Sequence, residues 1–498
     1  MAPAALRALA VALLLAGCAV GPDFEKPRPP SAGYAPGPLP AKTASADIAG
    51  GEAQHFVEGR DIPGQWWTLL HSEALNTLID AALKANPDLA AAQAALRVAH
   101  ENVLAQEGAF FPSLSASASP SRQKTATGSV SPASASGNPY LTLYTAQLSV
   151  SYAPDVFGLN RRTVEGLEAE AQAQRFALEA TYLTLTSNIV AAAVQEASLR
   201  AQIEATNEII GIEAQLLSLL QRQSALGQIA EADVVAQRAA LAQAQAGLSP
   251  LQKQLAIERD LLTALAGRFP SEAVEQHFDL AGLSLPQEVP VSLPAKLVEQ
   301  RPDLRAAEAN LHAASAAIGV AIANRLPNIT LTADAGTSAT TLSQLFTPGT
   351  GLWDVGANVT QPIFQGGTLL HRERAARAAF DQAEAQYRST AITAFQNVAD
   401  SLHALALDAD ALQASVVAER AAAESLDIAR RQLQLGAISY LTLLNAEQAY
   451  QQARISLVQA QASRFADTAA LFQALGGGWW NRHDVAAQDS GAGGPAAR

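Results

Sequence analysis

At 498 residues the chain is long enough for two to four domains. Its net charge of −13 argues against nucleic-acid binding and leaves no basic patch for anionic lipid, while charged residues at 16% and aromatics at 5% fit long, packed, alanine-rich helices. One cysteine excludes a disulfide framework and any cysteine-based metal site.

Residues 1–17 read MAPAALRALAVALLLAG. Arg7 precedes an apolar run, Ala8–Leu15, which is too short to span a bilayer as a helix and has the form of a signal segment. The run ends in Leu15-Ala16-Gly17-Cys18. This resembles the bacterial lipobox, whose cysteine is acylated and becomes the mature N-terminus; a lone buried cysteine is the competing reading. Each methylene buried in lipid would add about 0.8 kcal/mol of membrane affinity. No Asp follows Cys18, and the resemblance therefore implies sorting to the outer membrane. Within residues 18–70, Gly21–Ala53 is rich in Pro, Gly and Ala and reads as an extended tether. Trp66 and Trp67 read as packing aromatics.

An internal repeat sets the architecture from there on. Asn86–Leu96 (NPDLAAAQAAL) aligns with Arg301–Leu311 (RPDLRAAEANL) at seven of eleven positions. Pro112 matches Pro327, Pro154 and Gly158 match Pro362 and Gly366, and Gly227 matches Gly436. One unit is used twice, at 71–267 and 294–480, joined by an irregular connector at 268–293 with a short strand. The tail, 481–498, is polar, Gly/Ala-rich and expected to be disordered. Each unit reads as helix, strand pair, very long helix, turn and long helix.

Four stretches alternate with period two. They are Ser113–Ser119, Tyr144–Tyr152, Asn328–Ala335 and the stretch opening at Gly351, where Trp353, Val355, Ala357 and Val359 alternate with Asp354, Gly356, Asn358 and Thr360. An ordinary half-buried sheet has the same signature. Roughly ten residues is also what a tilted strand needs to cross a bilayer. Lipid tolerates no open strand edge, and single-chain barrels need about eight strands. Four strands in a membrane must therefore be pooled with those of other copies.

The long helices are expected from Leu159 to Leu226 and from Thr368 to Leu435, each about 100 Å at 1.5 Å per residue. Their return partners are expected from Glu231 to Leu265 and from Tyr440 to Leu475. The last should bury Leu441, Leu444, Gln448, Gln451, Ile455, Val458, Ala462, Phe465, Ala469 and Phe472, a 3,4 spacing of coiled-coil type. Phe380, Ala383, Tyr387, Ala391, Ala394, Val398, Leu402 and Leu405 make a comparable stripe in its neighbour. Gly247 and Pro250 should kink the first return helix.

No nucleotide loop, HExxH pair or nucleophile elbow is present, so no enzyme activity, cofactor or metal site is expected. His371, beside Arg372, Glu373 and Arg374, reads as a solvated helix start. Asn328-Ile-Thr330 and Asn358-Val-Thr360 match a glycosylation pattern that has no meaning for a bacterial lipoprotein.

Cys18-Ala-Val-Gly-Pro-Asp-Phe24, Gln65-Trp66-Trp67, Leu75–Ile79 and Asn86-Pro87-Asp88-Leu89 together resemble the NodT-type outer-membrane efflux lipoproteins, relatives of TolC. The resemblance implies a mainly α protein with membrane β structure: a homotrimer with a twelve-stranded barrel, continued by a helical barrel in the periplasm. It further implies a periplasmic adaptor, an inner-membrane transporter of the resistance-nodulation-division class, and passive outward conduction of drugs or other amphiphiles. In that family the two helical turns form the periplasmic gate. The segment Gln432–Asn445 resembles the family's R-Y-x-x-G-x-x-x-Y-L-T-L-L-D turn, but its Arg-Tyr pair falls on Gln432 and Leu433, and its Asp on Asn445. A salt-bridged gate is thus replaced by an expectation of weaker amide bonds and apolar contact. Asp233, in the first-repeat turn, matches a gate-contact position, with helix capping as its plain alternative. Gly227 and Gly436 mark the turns. Two other functions stay open: a protein-export channel on the same fold, and a lipid-anchored coiled-coil scaffold without a pore.

Overall fold

The computed structural model describes residues 19–30, 33–34, 40–124 and 140–482. The signal segment, Cys18 and the tail beyond Arg482 lie outside these residues. In chain order the elements are β1 (His55–Glu58), α1 (Glu73–Ala85), α2 (Pro87–Glu107), β2 (Ser113–Lys124), β3 (Tyr140–Tyr152), α3 (Leu159–Ala225) and α4 (Glu231–Leu265). The second half follows with β4 (Glu288–Val291), α5 (Pro294–Gln300), α6 (Pro302–Ala323), β5 (Asn328–Ala339), β6 (Gly351–Thr360), α7 (Thr368–Gln434) and α8 (Tyr440–Ala474). The repeated order of α2-β2-β3-α3-α4 and α6-β5-β6-α7-α8 is the duplication expected from the sequence. Contacts divide the chain into two units. Among the described residues, one takes the chain from Ala19 to Pro27, Ala95–Gln174 and Ala307–Tyr387; the other takes Arg28–Ala94, Arg175–Ala306 and the chain from Arg388 to Arg482.

The first unit holds an antiparallel sheet in the order β2-β3-β5-β6. Its register puts every alternating residue on a consistent face. Trp353 stands opposite Ala335, Ala335 opposite Leu148, and Leu148 opposite Ala116; Val355, Ala333, Val150 and Leu114 form the next row. The other face carries Asp354, Asp334, Ser149 and Ser115 in one row, with the Ser149 hydroxyl donating to Asp334. The apolar face is bare: Trp353 is 80% exposed, Val355 71% and Leu114 69%. In water such a face would be a liability. Three strands run beyond their alternating windows, by Pro120–Lys124, Tyr140–Leu143 and Gly336–Ala339. Backbone pairing continues there although Leu141 and Leu143 break the alternation.

The second unit is built on aromatic and aliphatic packing. Trp66 and Trp67 are fully buried, with Trp66 stacked on Phe472 at 5.4 Å between ring centroids and Trp67 tilted against Tyr182. The connector contributes β4, which pairs in parallel with β1, a strand without sequence alternation. The two aligned motifs do the same job with different chemistry. In the first repeat the Asn86 side chain caps α2 through its carbonyl and donates to Leu265 O, at the end of α4. In the second, Arg301 donates to Ala474 O, at the end of α8, while pairing with Asp303. Both satisfy orphan carbonyls of a helix C-terminus, where positive or donor groups are favoured.

In α7 the expected stripe is buried at Tyr387, Ala391, Ala394, Val398, Leu402 and Leu405, and it continues through Ala409, Leu412 and Val416. In α8 the expected stripe is buried from Val458 through Phe472. At the start of α8 it is displaced by one residue: Tyr440, Leu443 and Glu447 are buried, whereas Leu441 is exposed. α4 continues as one helix through Pro250. The two tail residues that are described are tied down, Asn481 to Ile62 O and Arg482 to Glu179.

Candidate functional site

The turns at the ends of the two helical hairpins are built alike. Gly227 and Gly436 both adopt φ +71°, in the left-handed region. Each ends its long helix in the same way, with Gln228 N bonded to Gln223 O and Ala437 N bonded to Gln432 O, both 2.9 Å. This is the helix-ending geometry in which glycine carries no Cβ penalty. The space beside both glycines is open, so the requirement is one of backbone alone.

Apolar contact holds the hairpin ends together. Leu220, Val234 and Tyr440 form one buried cluster, and Leu426, Ala429 and Leu443 form another. Leu433 and Leu216 pack against both. Of the sequence candidates, Leu433 is thus a packed bridge between clusters. Gln432 and Asn445 are exposed, and Gln432 serves the turn through its carbonyl. Asp233 is half-buried, with its amide bonded to Ala230 O in the first turn of α4, and its charge acts on the Tyr440 hydroxyl.

The strongest polar tie lies a turn or two further in, on residues outside the candidate set. Gln237, fully buried on α4, donates to the carboxylate and the carbonyl of Glu213 on α3, the latter at 3.0 Å. Its own carbonyl accepts from the Tyr440 hydroxyl at the start of α8. Glu447, about two turns along α8, is buried beside Glu213, and neither of its carboxyl oxygens meets a donor. Burial, followed by the neighbouring Glu213, pushes Glu447 up to about 7. Burial likewise raises Glu213, against the lowering effect of Gln237. Arg430 Nη2, itself buried, stands 3.9 Å from Glu447, at the limit of an ion pair, and its lowering effect is outweighed by burial and Glu213. Glu213 already accepts from Gln237, and a proton on the pair gives the Glu447 carboxyl a bond it otherwise lacks. The side-chain amide that ties the hairpins is that of Gln237. The partners lie 203 positions apart, and only the spacing of Tyr440 and Glu447, seven residues along one face, hints at them.

Tyr440→Phe removes the hydroxyl and leaves the buried Gln237 carbonyl unpaired. The expected cost is about 1–3 kcal/mol of local stability. Hydrogen exchange over residues 213–240 should speed up accordingly, with the stripe from Ala391 to Leu405 unaffected.

Comparison with known proteins identifies what this architecture is. The family model described as Outer membrane efflux protein matches residues 78–268 and again residues 293–477. The chain belongs to the outer membrane efflux protein family. It is 32% identical over 489 residues to the toluene efflux pump outer membrane protein TtgC of Pseudomonas putida, covering 97% of this chain and 98% of that one. The antibiotic efflux pump outer membrane protein ArpC of Pseudomonas putida matches to the same extent. The solved outer-membrane channel OprN superposes with a TM-score of 0.82 at 26% identity, over 93% of this chain and 100% of that structure. The protein is thus a TolC-like outer-membrane efflux component. Two copies of the family unit account for the duplicated helix–strand order, and the amphipathic sheet is its membrane part.

Proposed function

We propose that three copies pool their sheets into a twelve-stranded barrel and form a passive conduit through the outer membrane. The observation that supports this reading is the register of β2-β3-β5-β6, which gathers apolar side chains on one exposed face and Ser, Thr, Asn and Asp on the other. A lipid-facing exterior and a wet lumen require that division. With four strands per chain, the open edges β2 and β6 find partners only on neighbouring copies.

In this reading the cargo is toluene-like solvents, antibiotics or similar small amphiphiles, by analogy with the efflux relatives. A periplasmic adaptor delivers it from a proton-driven inner-membrane transporter, and the chain itself performs no covalent chemistry. The hairpin ends form the periplasmic gate: Leu433 and the Gln237–Tyr440 bond hold it, Gln432 and Asn445 are its exposed polar positions, and Asp233 is a half-buried one. The Asp334 and Asp354 row would line the barrel as acidic rings, which favour cations over anions. Cys18 carries the fatty acyl chains of a lipoprotein and needs no other cofactor.

Purified protein in planar bilayers should show single-channel conductance, and a deletion strain should become sensitive to solvents or antibiotics. Absence of conductance would leave the poreless scaffold. Loss of a secreted protein with unchanged sensitivity would favour protein export. Cys18→Ala should weaken membrane attachment while trimers persist; wholly soluble variant protein would contradict insertion by the barrel.

A further inference from the structure

The stretch after Cys18 is held, although its composition reads as a tether. We propose that Arg162, together with Gly158 and Gly319, forms a dock that clamps Ala19–Lys26 beside the membrane sheet, making Arg162 the positioning residue for the N-terminal end. The consequence for the lipid rests on the proposed acylation of Cys18; the dock itself does not.

Arg162 stands in the first turn of α3, which follows β3 after a short loop, and is only 5% exposed. Its guanidinium donates to Val20 O at 3.1 Å, to Gly21 O at 3.5 Å, to Asp23 at 2.7 Å and to Glu165 at 2.7 Å. Val20 N donates in turn to Phe157 O at 3.1 Å. A planar fork with several fixed donors suits this combination of carbonyls and carboxylates better than an ammonium would.

The surface beneath is kept bare by glycine. A Cβ on Gly158 would lie 2.6 Å from Ala19 Cα, and one on Gly319 would lie 2.9 Å from Val20 O and 2.8 Å from Arg162 Cγ. Either contact is impossible without moving the strap. Past the clamp, Phe24 stacks on His312 with centroids 4.4 Å apart, and His312 bonds Glu165 at 2.9 Å. Lys26 reaches Glu308 on the same helix, α6. The efflux-lipoprotein motif Val20-Gly21-Pro22-Asp23-Phe24 thereby acquires a structural reason, since each residue but the proline makes a named contact. With Ala19 seated, the attachment residue is one peptide link away, about 3.8 Å between Cα atoms. The acyl chains would enter the bilayer at a fixed place beside the sheet.

The test uses the full-length protein in detergent. Hydrogen exchange should show the Val20 amide protected at least tenfold relative to an unstructured peptide, and chymotrypsin should cut slowly after Phe24. Arg162→Ala and Gly319→Val should each raise exchange across 20–26 and cleavage at Phe24 by tenfold or more, with exchange across 189–197 of α3 unchanged. Arg162→Lys should recover part of the protection. Should the variants fail to fold, the wild-type measurement decides alone, and free exchange of Val20 or rapid cutting at Phe24 overturns the dock. Wild-type rates in both variants overturn it as well. The mass of the N-terminal peptide separates the two readings: an unmodified Cys18 with a protected strap defeats the lipid and leaves the dock standing.

Discussion

Val355→Arg should abolish assembly in the outer membrane, while Asn358→Arg, three positions along the same strand, should be tolerated. Val355 is on the apolar face near the middle of β6, and Asn358 is on the polar face. A lipid-facing Arg at the bilayer midplane costs about 2–4 kcal/mol per chain. In a trimer the charge appears three times, so the penalty is about 6–12 kcal/mol, comparable with the whole stability of a typical domain. A lumen-facing Arg meets water and should alter ion selectivity instead, shifting it toward anions. Quantifying outer-membrane protein for the two variants gives the comparison. Equal yields would mean that the sheet's two faces do not meet different solvents.

The second large effect concerns pH. Glu447 is pushed up to about 7 by burial and by Glu213, whereas an unfolded Glu titrates near 4.5. Between those values the folded hairpin end binds more protons than the unfolded one, so stability falls as pH rises. The contribution is fully present below about 4.5 and lost as pH rises through about 7. Above it, two buried carboxylates repel each other with only a distant Arg430 beside them. Protection factors of residues 206–240 and 440–450, that is, exchange corrected for its base-catalysed intrinsic rate at each pH, should therefore fall on the order of tenfold or more from pH 5.5 to 8.5. Asp467 is also raised to about 7, by burial and by Asp408, and titrates in the same range. Glu447→Gln isolates the pair: its hairpin end should be tight at both pH values, with the pH effect near Asp467 left in place. A variant that still loosens with pH would remove Glu447 from the explanation.

Much of this architecture was legible because the chain is punctuated. Proline or glycine stands before each membrane strand and each long helix, and α3 and α7 end within one residue of the expected positions. Period-two alternation needs no tertiary information, which is why the sheet's faces could be read directly. The misses share a cause. β1 and β4 are four-residue strands that gain their pairing from chain segments more than 200 positions apart. At the start of α8, a 3,4 spacing selects Leu441 and Gln448, whereas the fold buries Tyr440, which bonds Gln237, and Glu447, which lies beside Glu213. The strap after Cys18 looks unstructured by composition, since its order comes from Arg162, from Gly158 just before α3 and from Gly319 on α6, all far away in sequence.

The pooling of strands among copies is tested most directly by native mass measurement of the protein extracted in mild detergent. A single species of three chains, resistant to dilution, is the predicted result. A stable monomer that keeps its β2-β3-β5-β6 sheet in detergent would contradict it.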